Sequence, residues 1–181
     1  MITKNSLLNI EMILNQLEKH DGMSVADFGC GNFGFFVFPL ARLIGENGKL
    51  YAVDIFKSAL DEIKRKARLE NLPQVETIWG NLEKVGGVKI PDNELDAALL
   101  VNTLYQAGKS MEMLKETART LKKGGTFVIV DWTQEPAPFG PPIDSRIKKD
   151  KLKLALTKIG FDFKTEFNPG DYHYGLVFIK Q

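Results

Sequence analysis

The chain has 181 residues, of which 44% are hydrophobic and 26% are charged, and a chain of this kind can bury one hydrophobic core. Its formal net charge of +1 at pH 7 gives no overall field that would favour nucleic acid or an anionic membrane as a partner. The single cysteine, Cys30, excludes a disulfide framework within the chain and a zinc site made of several thiolates. We therefore expect one domain in a reducing cytoplasm, with no bound metal.

The segment 1–22 is predicted to be an amphipathic helix in front of a core formed by residues 23–181. Its apolar residues recur at the spacing of one helix face: Leu7, Ile10, Leu14 and Leu17. Polar residues interrupt the apolar ones, so the segment lacks the continuous apolar stretch of a signal peptide or a membrane span. His20, near the predicted end of this helix, is interpreted as a residue that interacts with the helix dipole.

Strand-like and helix-like patterns then alternate along the chain. The first predicted elements are strand 24–28, a helix from about 36 to 44, strand 49–54, a helix from about 57 to 69 and strand 75–79. The next are strand 95–101, a helix over Met111 to Leu121 that stops at Lys122, Lys123 and Gly124, and strand 126–132. Such alternation predicts a parallel sheet with right-handed helical crossovers and helices on both faces.

The C-terminal part begins with a proline-rich loop, residues 133–142. A lysine-rich helix is predicted to follow and to stop at Gly160. Two strands, 161–167 and 175–181, are joined by the turn signal "NPGDYHY" and should therefore be antiparallel. The sequence thus predicts a single α/β domain with a doubly wound, mostly parallel seven-stranded sheet and an antiparallel C-terminal hairpin strand.

A glycine turn, "VADFGCGNFG", follows the first predicted strand. Gly29, Gly31 and Gly34 have the spacing G-x-G-x-x-G, which dinucleotide sites also show and which a turn without a ligand could show as well. A dinucleotide would place its pyrophosphate over this turn, where a carboxylate at the strand end would repel it. Asp27 occupies that strand end, so the sequence favours a cationic ligand.

The same stretch resembles motif I of the class I, seven-strand Rossmann-like S-adenosylmethionine-dependent methyltransferases, and the resemblance extends from Gly22 to Lys180. It implies that Asp27 and the backbone of 29–31 hold the methionine end of the cofactor, whose sulfonium and α-amino groups are cationic. The turn is one residue longer than usual, because Phe33 stands where the family has its third glycine. Cys30 is expected to be a packing residue, since no base for a cysteine nucleophile lies nearby in the sequence.

The resemblance also implies the adenosine side of the site. Asp54, at the end of the second strand, would accept hydrogen bonds from the ribose hydroxyls, with Ile55 beneath the adenine. Asn81 would accept from the adenine amine through its carbonyl oxygen, although a simple turn role is the alternative. The full cofactor set implied is Asp27, Gly29, Cys30, Gly31, Gly34, Asp54, Ile55, Gly80, Asn81, Leu82, Val101 and Asn102.

Methyl transfer needs an oriented nucleophile and sometimes a base. After the fourth strand, Asn102 is followed by Thr103, Leu104 and Tyr105, without the two prolines typical of methyltransferases that act on nucleobase or glutamine amino groups. Asn102 and Tyr105 are candidate catalytic residues because, by the resemblance, the end of the fourth strand faces the transferable methyl group. His173 is the third candidate and the general-base candidate by its unperturbed pKa, with a solvated turn residue as the alternative.

Aromatic residues near the expected methyl group favour a small acceptor with apolar area. Trp132, Phe139 and Tyr172 are the predicted substrate contacts, and the loop 135–142 is a predicted lid. The arrangement is similar to the small-molecule, C- and O-methylating branch that includes quinone-biosynthesis enzymes. It implies a small organic methyl acceptor, and an RNA or protein methyltransferase, an NAD(P)-dependent oxidoreductase and a non-catalytic cofactor-binding protein remain alternatives.

Two basic runs, residues 63–68 and 146–153, bear on the nucleic-acid alternative. Both alternate with apolar positions that suit a helix packed on a core. We interpret them as solvated helix faces, with an RNA-tracking surface as the alternative. The sequence makes no prediction about the oligomeric state.

Overall fold

A seven-stranded sheet organises the computed structural model, which describes residues 7–17, 21–108 and 110–181. The strands are β1 (Ser24–Phe28), β2 (Lys49–Asp54), β3 (Val75–Trp79), β4 (Leu95–Val101), β5 (Leu121–Trp132), β6 (Phe161–Gly170) and β7 (His173–Lys180). The α-helices are α1 (Ile10–Leu14), α2 (Val37–Ile44), α3 (Lys57–Leu69), α4 (Ser110–Thr120) and α5 (Lys149–Lys158), with short 3-10 helices at Leu104–Gln106 and Ile143–Ser145.

The strand order is β3-β2-β1-β4-β5-β7-β6, and only β7 runs against its neighbours. The predicted fold class is therefore confirmed. The chain moves outward in one direction from β1 to β3 and in the other from β4, so the direction of winding reverses between β1 and β4. A crevice forms at the carboxyl ends of strands at such a reversal, and this is where open α/β sheets bind ligands.

Alternating side chains divide the core into two layers. Val25, Val128 and Val177 lie on the sheet face that packs against α1 and α2, and Phe28, Phe127 and Phe178 lie on the opposite face. Most strand residues are buried because helices cover both faces, as expected for a mostly parallel sheet. Within the described ranges, no helix is long and apolar enough to cross a membrane.

The N-terminal helix is shorter than predicted. It spans Ile10–Leu14, and the Asn9 side chain caps it by accepting a hydrogen bond of 2.9 Å from the backbone N–H of Met12. Leu17 is buried beyond the helix end. His20, whose predicted role was at a helix terminus, lies outside the described residues.

Helix α4 ends at Thr120 rather than at the predicted lysine–glycine stop. Leu121 already pairs with Leu95 in the sheet, and the pairing of β4 with β5 is irregular immediately after that pair. This irregularity accommodates Lys122, which forms an ion pair of 2.6 Å with Asp96. The helix thus ends one residue before the predicted Leu121, and the turn-like residues after it belong to the first, irregular part of β5.

The C-terminal hairpin is tighter than predicted, since β6 continues to Gly170 and β7 begins at His173. Gly170 pairs with His173, and only Asp171 and Tyr172 remain in the turn. The register shift between Phe167 and Gly170 absorbs the asparagine and proline that resemble a turn in the sequence. His173 is therefore a strand residue and not a solvated turn residue.

Candidate functional site

The glycine turn after β1 is held against the neighbouring strands. The backbone N–H groups of Gly29 and Cys30 donate to the carbonyl oxygen of Val53, at 2.8 and 3.1 Å. Gly29 has φ +77°, and a Cβ atom there would lie 2.6 Å from Oγ1 of Thr103. Gly31 has φ +61°, but no described atom lies within 4 Å of the position that its Cβ would take. The turn therefore packs on one side and leaves room for a ligand on the other.

The extra residue of the turn has a structural explanation. Gly34 is buried against the side chains of Phe38 and Ile63, so the third glycine lets α2 pack closely on α3. Phe33 is displaced outward, and its ring lies 5.4 Å from that of Phe35, with both rings largely exposed. The longer turn thus places an aromatic pair at the edge of the ligand space.

A cavity of about 570 Å³ adjoins the turn on the α1 side of the sheet. Most of its wall is apolar, and Asp27 and Asn102 are polar groups within it. The lining residues are Leu7, Leu8, Ile10, Asp27, Gly29, Cys30, Gly31, Asn32, Phe33, Phe35, Phe36, Val101, Asn102, Tyr105 and Gln106. The structure therefore brings together the predicted methionine-end residues and two of the three candidate catalytic residues.

Asp27 is the charged group of this cavity, and only 2% of its surface is exposed. Its Oδ2 atom has no hydrogen-bond partner among the described residues. Burial, and to a smaller extent the negative charge of Asp54, raises the pKa of Asp27 from 3.8 to about 7. A cation in the cavity would oppose both effects, so the site fits an ammonium or sulfonium group.

Cys30 lines the same cavity but has no nucleophilic character. Burial, followed by the charges of Asp27 and Asp54, raises the pKa of its thiol well above the ordinary value. The thiol therefore stays protonated at neutral pH, as expected for a packing residue.

Asp54 is fixed at the end of β2 by two backbone groups. Its Oδ2 accepts from the N–H of Gly31 and its Oδ1 from the N–H of Phe56, both at 2.9 Å. A second cavity of about 320 Å³ adjoins it, and its lining residues are Gly31, Asn32, Asp54, Phe56, Ser58, Ala59 and Glu62. Gly31 and Asn32 line both cavities, so an extended ligand could run from Asp27 past the turn to Asp54.

The segment after β3 is folded as a turn. The Asn81 side-chain oxygen accepts from the backbone N–H of Glu83 at 2.9 Å, and the N–H of Gly80 donates to the carbonyl oxygen of Asp54. Asn81 therefore has the turn role that the sequence left open, and its contact with an adenine stays a prediction. Leu82 is buried in the core, whereas Ile55 is half exposed beside the second cavity's Asp54 and Phe56.

Asn102 follows β4 in a left-handed backbone conformation, with φ +53°. Its N–H donates to the carbonyl oxygen of Val130, and its own carbonyl oxygen accepts from the Gln106 side chain, both at 2.9 Å. The Oδ1 atom is buried and finds no partner in the described part of the chain. Backbone strain and an unpaired polar atom beside a cavity are typical of functional positions.

Asp131 lies behind this segment, fully buried at the end of β5. Its Oδ1 accepts from the N–H of Trp132 at 2.8 Å. Burial raises the pKa of Asp131 to about 6, although the nearby backbone N–H groups of Trp132, Tyr105 and Leu104 act in the opposite direction. Its Oδ2 atom has no hydrogen-bond partner among the described residues.

His173 is 2% exposed and lies opposite Trp132 in the sheet, with ring centroids 4.2 Å apart. Burial, followed by the positive charge of Arg146, lowers the pKa of His173 to about 4. The imidazole is therefore neutral at pH 7 and a weaker base than an ordinary histidine. His173 does not line the larger cavity, so its catalytic role stays a prediction.

The three predicted substrate contacts form one aromatic cluster. The Phe139 ring lies edge-on to Trp132 at 6.1 Å and to Tyr172 at 5.3 Å. None of these three side chains lines the larger cavity, which is bounded instead by Phe33, Phe35 and Phe36. The cluster lies at the same carboxyl edge of the sheet, since Trp132 ends β5, Phe139 follows it and Tyr172 precedes β7.

The sequence interpretation missed Arg146, which it assigned to a solvated basic face. Arg146 is only 7% exposed and precedes α5. Its guanidinium donates to the carbonyl oxygens of Pro141, Thr133 and Glu135 at 2.9, 2.9 and 2.8 Å, and it lies 5.4 Å from the Trp132 ring. Arg146 therefore holds the proline loop at three points, which only long-range contacts could reveal.

Arg146→Ala should loosen this loop without unfolding the domain. Three carbonyl oxygens would lose a charged donor, so we expect a loss of about 1–3 kcal/mol in the free energy of unfolding. Hydrogen exchange of residues 133–142 should become faster. The exposed Lys148→Ala is the matched control and should change neither measurement, and unchanged exchange in Arg146→Ala would show that the loop is held by other contacts.

The N-terminal segment was also missed as part of the site. Leu7, Leu8 and Ile10 line the cavity, and the N–H of Asn9 donates to the carbonyl oxygen of Pro169 at 2.7 Å. This part of the cavity lining depends on a contact between segments that are distant in the sequence, so no local pattern predicts it.

Comparison with known proteins agrees with this geometry. A family model described as a methyltransferase domain matches residues 19–167. The demethylmenaquinone methyltransferase of Bacillus licheniformis is 32% identical over 119 residues, covering 66% of this chain and 48% of the relative. That of Geobacillus stearothermophilus is 28% identical over 128 residues, covering 71% and 53%. The chain thus spans about half the length of the curated relatives it matches.

Solved structures show the same architecture over nearly the whole chain. A SAM-dependent methyltransferase from Aquifex aeolicus superposes with a TM-score of 0.86 at 25% identity, covering 97% of this chain and 91% of that one. An arsenic(III) S-adenosylmethionine methyltransferase from Chlamydomonas reinhardtii superposes with a TM-score of 0.71 at 17% identity, covering 87% and 63%, which shows the fold alone. The chain therefore belongs to the methyltransferase domain family, with the class I, Rossmann-like fold of S-adenosylmethionine-dependent methyltransferases and a sequence that resembles the quinone-biosynthesis branch.

Proposed function

We propose that the protein transfers a methyl group from S-adenosylmethionine to a small, partly apolar organic acceptor, by C- or O-methylation. The observation that carries the proposal is the larger cavity, which combines the buried, unpaired carboxyl oxygen of Asp27 with a largely apolar wall. Such a cavity suits a cationic cofactor group beside Asp27 together with an apolar acceptor ring. Relatives named demethylmenaquinone methyltransferases support an acceptor of this kind.

In this proposal the cofactor extends across both cavities. The methionine end lies at Asp27 and the backbone of 29–31, and the ribose lies at Asp54. The adenine would lie near Ile55, Gly80, Asn81 and Leu82. When bound, the cofactor supplies a methyl group already activated by the sulfonium, so the protein mainly has to orient the acceptor and exclude water.

The acceptor side is supported by residues that follow β4 and line the larger cavity. Asn102 and Tyr105 lie where the fourth strand ends, and Asn102 offers an unpaired amide oxygen. Burial, followed by the charge of Asp131, raises the pKa of the Tyr105 phenol, so it acts as a neutral hydrogen-bonding group at pH 7. Phe33 and Phe35 would contact an apolar or aromatic acceptor as it enters.

The alternatives make different demands on the same site. An NAD(P)-dependent oxidoreductase would need a pyrophosphate near Asp27, and repulsion in a buried site opposes this arrangement. An RNA methyltransferase would need a basic track, but one of the two basic runs includes the buried Arg146. The single cysteine and the bacterial relatives support a cytoplasmic location.

Turnover of methyl-labelled S-adenosylmethionine with a panel of hydroxylated aromatic compounds tests this function. We expect label to appear in at least one phenolic or quinol acceptor, and not in tRNA or in protein. A non-catalytic cofactor-binding protein would bind S-adenosylhomocysteine without transferring label to any of the three classes. Quenching of NADH fluorescence on titration would instead support the oxidoreductase.

Phe35→Ala should separate acceptor binding from cofactor binding. The ring lines the larger cavity but not the second cavity that contains Asp54, so we expect a higher KM for the acceptor with S-adenosylhomocysteine affinity within about twofold. Phe163→Ala removes an exposed ring from β6, at the edge of the sheet, and should change neither constant. An equal loss of cofactor affinity in Phe35→Ala would show that this ring packs on the cofactor.

A further inference from the structure

We propose that Trp132 and His173 form a subsite that hydrogen-bonds a neutral oxygen atom, a hydroxyl or a carbonyl, on an aromatic acceptor. This inference rests on the proposed function, because it names the acceptor chemistry of the same active site. It gives these two side chains the role of substrate-binding groups. In this role His173 orients the acceptor and does not remove a proton.

Three buried polar atoms carry the inference. The Trp132 indole nitrogen and both imidazole nitrogens of His173 have no hydrogen-bond partner within the described ranges of the chain. Trp132 is 5% exposed and His173 is 2% exposed, so neither side chain reaches bulk water. Buried polar groups in folded proteins are almost always paired, and an unpaired one is costly. Two such side chains in ring contact therefore point to a shared ligand.

The strand register places this pair on the same face of the sheet as Asp27. Side chains alternate along a strand, so Trp132 shares the face of Val130, and His173 shares that of Val177. Both valines belong to the core layer that contains Val25, two residues before Asp27. Asp27, Trp132 and His173 thus lie on the same face of the sheet, at the carboxyl edge of the parallel strands. A cofactor held at Asp27 and a ring held at Trp132 would share one side of the sheet.

The surrounding groups select a neutral oxygen. The Trp132 indole can only donate, and a neutral imidazole offers one donor and one acceptor. Arg146 lies against the Trp132 ring, but its Nε and Nη1 groups already donate to backbone carbonyl oxygens. A guanidinium occupied in this way is poorly placed to form the two-pronged contact that a carboxylate or phosphate ligand prefers.

Aromatic walls complete the subsite. Phe139 lies edge-on against Trp132 and is half exposed, and it also contacts Tyr172. An acceptor ring could replace the Phe139 ring on Trp132 if that side chain turned toward solvent. Flat rings packed at these angles contribute favourable contacts beyond the area they bury. The subsite therefore suits a hydroxylated or carbonyl-bearing aromatic ring.

A fluorescence titration tests the inference without altering the subsite. The sequence has two tryptophans, so Trp79→Phe leaves Trp132 as the only indole. We expect 1-naphthol to change the emission of this variant saturably, and naphthalene, which has no oxygen, to bind at least about fivefold more weakly. Equal binding of the two compounds, or no saturable change with 1-naphthol up to its solubility limit, would overturn the proposal.

A second variant tests the hydrogen bond itself. Trp132→Phe keeps an aromatic ring and removes the N–H donor. Calorimetry should show a loss of 1-naphthol affinity of about fivefold with naphthalene affinity unchanged, and S-adenosylhomocysteine affinity should stay within about twofold. If S-adenosylhomocysteine binds but 1-naphthol is unaffected by Trp132→Phe, the subsite is wrong and the proposed function stands. If S-adenosylhomocysteine does not bind the wild-type protein, the function itself is wrong.

Discussion

Replacing Asp27 by asparagine should weaken the binding of S-adenosylmethionine by about 1–3 kcal/mol at pH 8. The substitution keeps the size of the side chain but removes the negative charge from a site that is 98% buried and faces the larger cavity. An amide oxygen is a weaker acceptor for a cationic group than a carboxylate. Calorimetric titration of the two proteins with the cofactor measures the difference directly.

The same variant should remove a pH dependence. With a pKa of about 7 in the folded protein, Asp27 is mostly protonated at pH 6, so wild-type affinity should fall about tenfold from pH 8 to pH 6. Asp27→Asn should show little change over that range. Asp150→Asn, an exposed carboxylate on α5, is the control and should bind like the wild type. An Asp27→Asn variant with unchanged affinity and reduced stability would show that the acid is structural.

The stability of the ligand-free protein should fall as the pH rises, whereas the affinity for the cofactor should rise. The pKa of Asp27 is raised on folding from 3.8 to about 7, so the folded state binds the proton more tightly than the unfolded state. This contribution is complete below about pH 3.8 and is lost as the pH rises through 7. Asp27→Asn should therefore stabilise the ligand-free protein at pH 8, which chemical denaturation would show.

Glu116→Ala should destabilise the protein by about 3–5 kcal/mol, since it removes one partner of a buried ion pair. The fully buried carboxylate accepts from the N–H groups of Gly86 and Val88 at 2.6 and 3.0 Å. It also accepts from Nη2 and Nε of Arg119 at 2.8 and 2.9 Å. Without it, the two backbone donors lose their partner, and Arg119 keeps only its hydrogen bonds to Val88, Ile90 and Asp92 in the segment before β4.

Glu112→Ala is the matched control on the same helix. Glu112 forms an ion pair of 2.9 Å with Lys115, but both side chains are well exposed to solvent. Such surface pairs contribute little, so we expect a change below about 1 kcal/mol in urea unfolding. Similar losses in the two variants would mean that helix propensity, and not the buried network, explains the effect of Glu116→Ala.

The central sheet was predictable because its signals are local. The five parallel strands were each predicted from local patterns, and α3 was predicted with its observed bounds, Lys57–Leu69. The antiparallel hairpin was predicted correctly, but the bounds of its turn were wrong because Asn168 and Pro169 resemble a turn, although they belong to β6. Local turn chemistry and long-range pairing compete there, and pairing prevails.

The site residues also divide into those with a local sequence signal and those that depend on long-range contacts. Asp27 and the glycines lie within eight residues of each other, so the sequence shows the methionine end of the site directly. Leu7 and Leu8 reach the cavity because the N-terminal segment attaches to Pro169, at the other end of the chain. Arg146 looks like one more exposed basic residue until its three carbonyl partners are seen. Contacts between distant segments could not be read from spacing.

Calorimetric titration of the wild-type protein with S-adenosylmethionine and S-adenosylhomocysteine is the most direct test of the central claim. We expect one ligand per chain for both compounds, with dissociation constants below about 1 mM at pH 8. Competition between them should show a single shared site. The absence of binding by either ligand at about 1 mM, or tighter binding of NADH under the same conditions, would contradict the account.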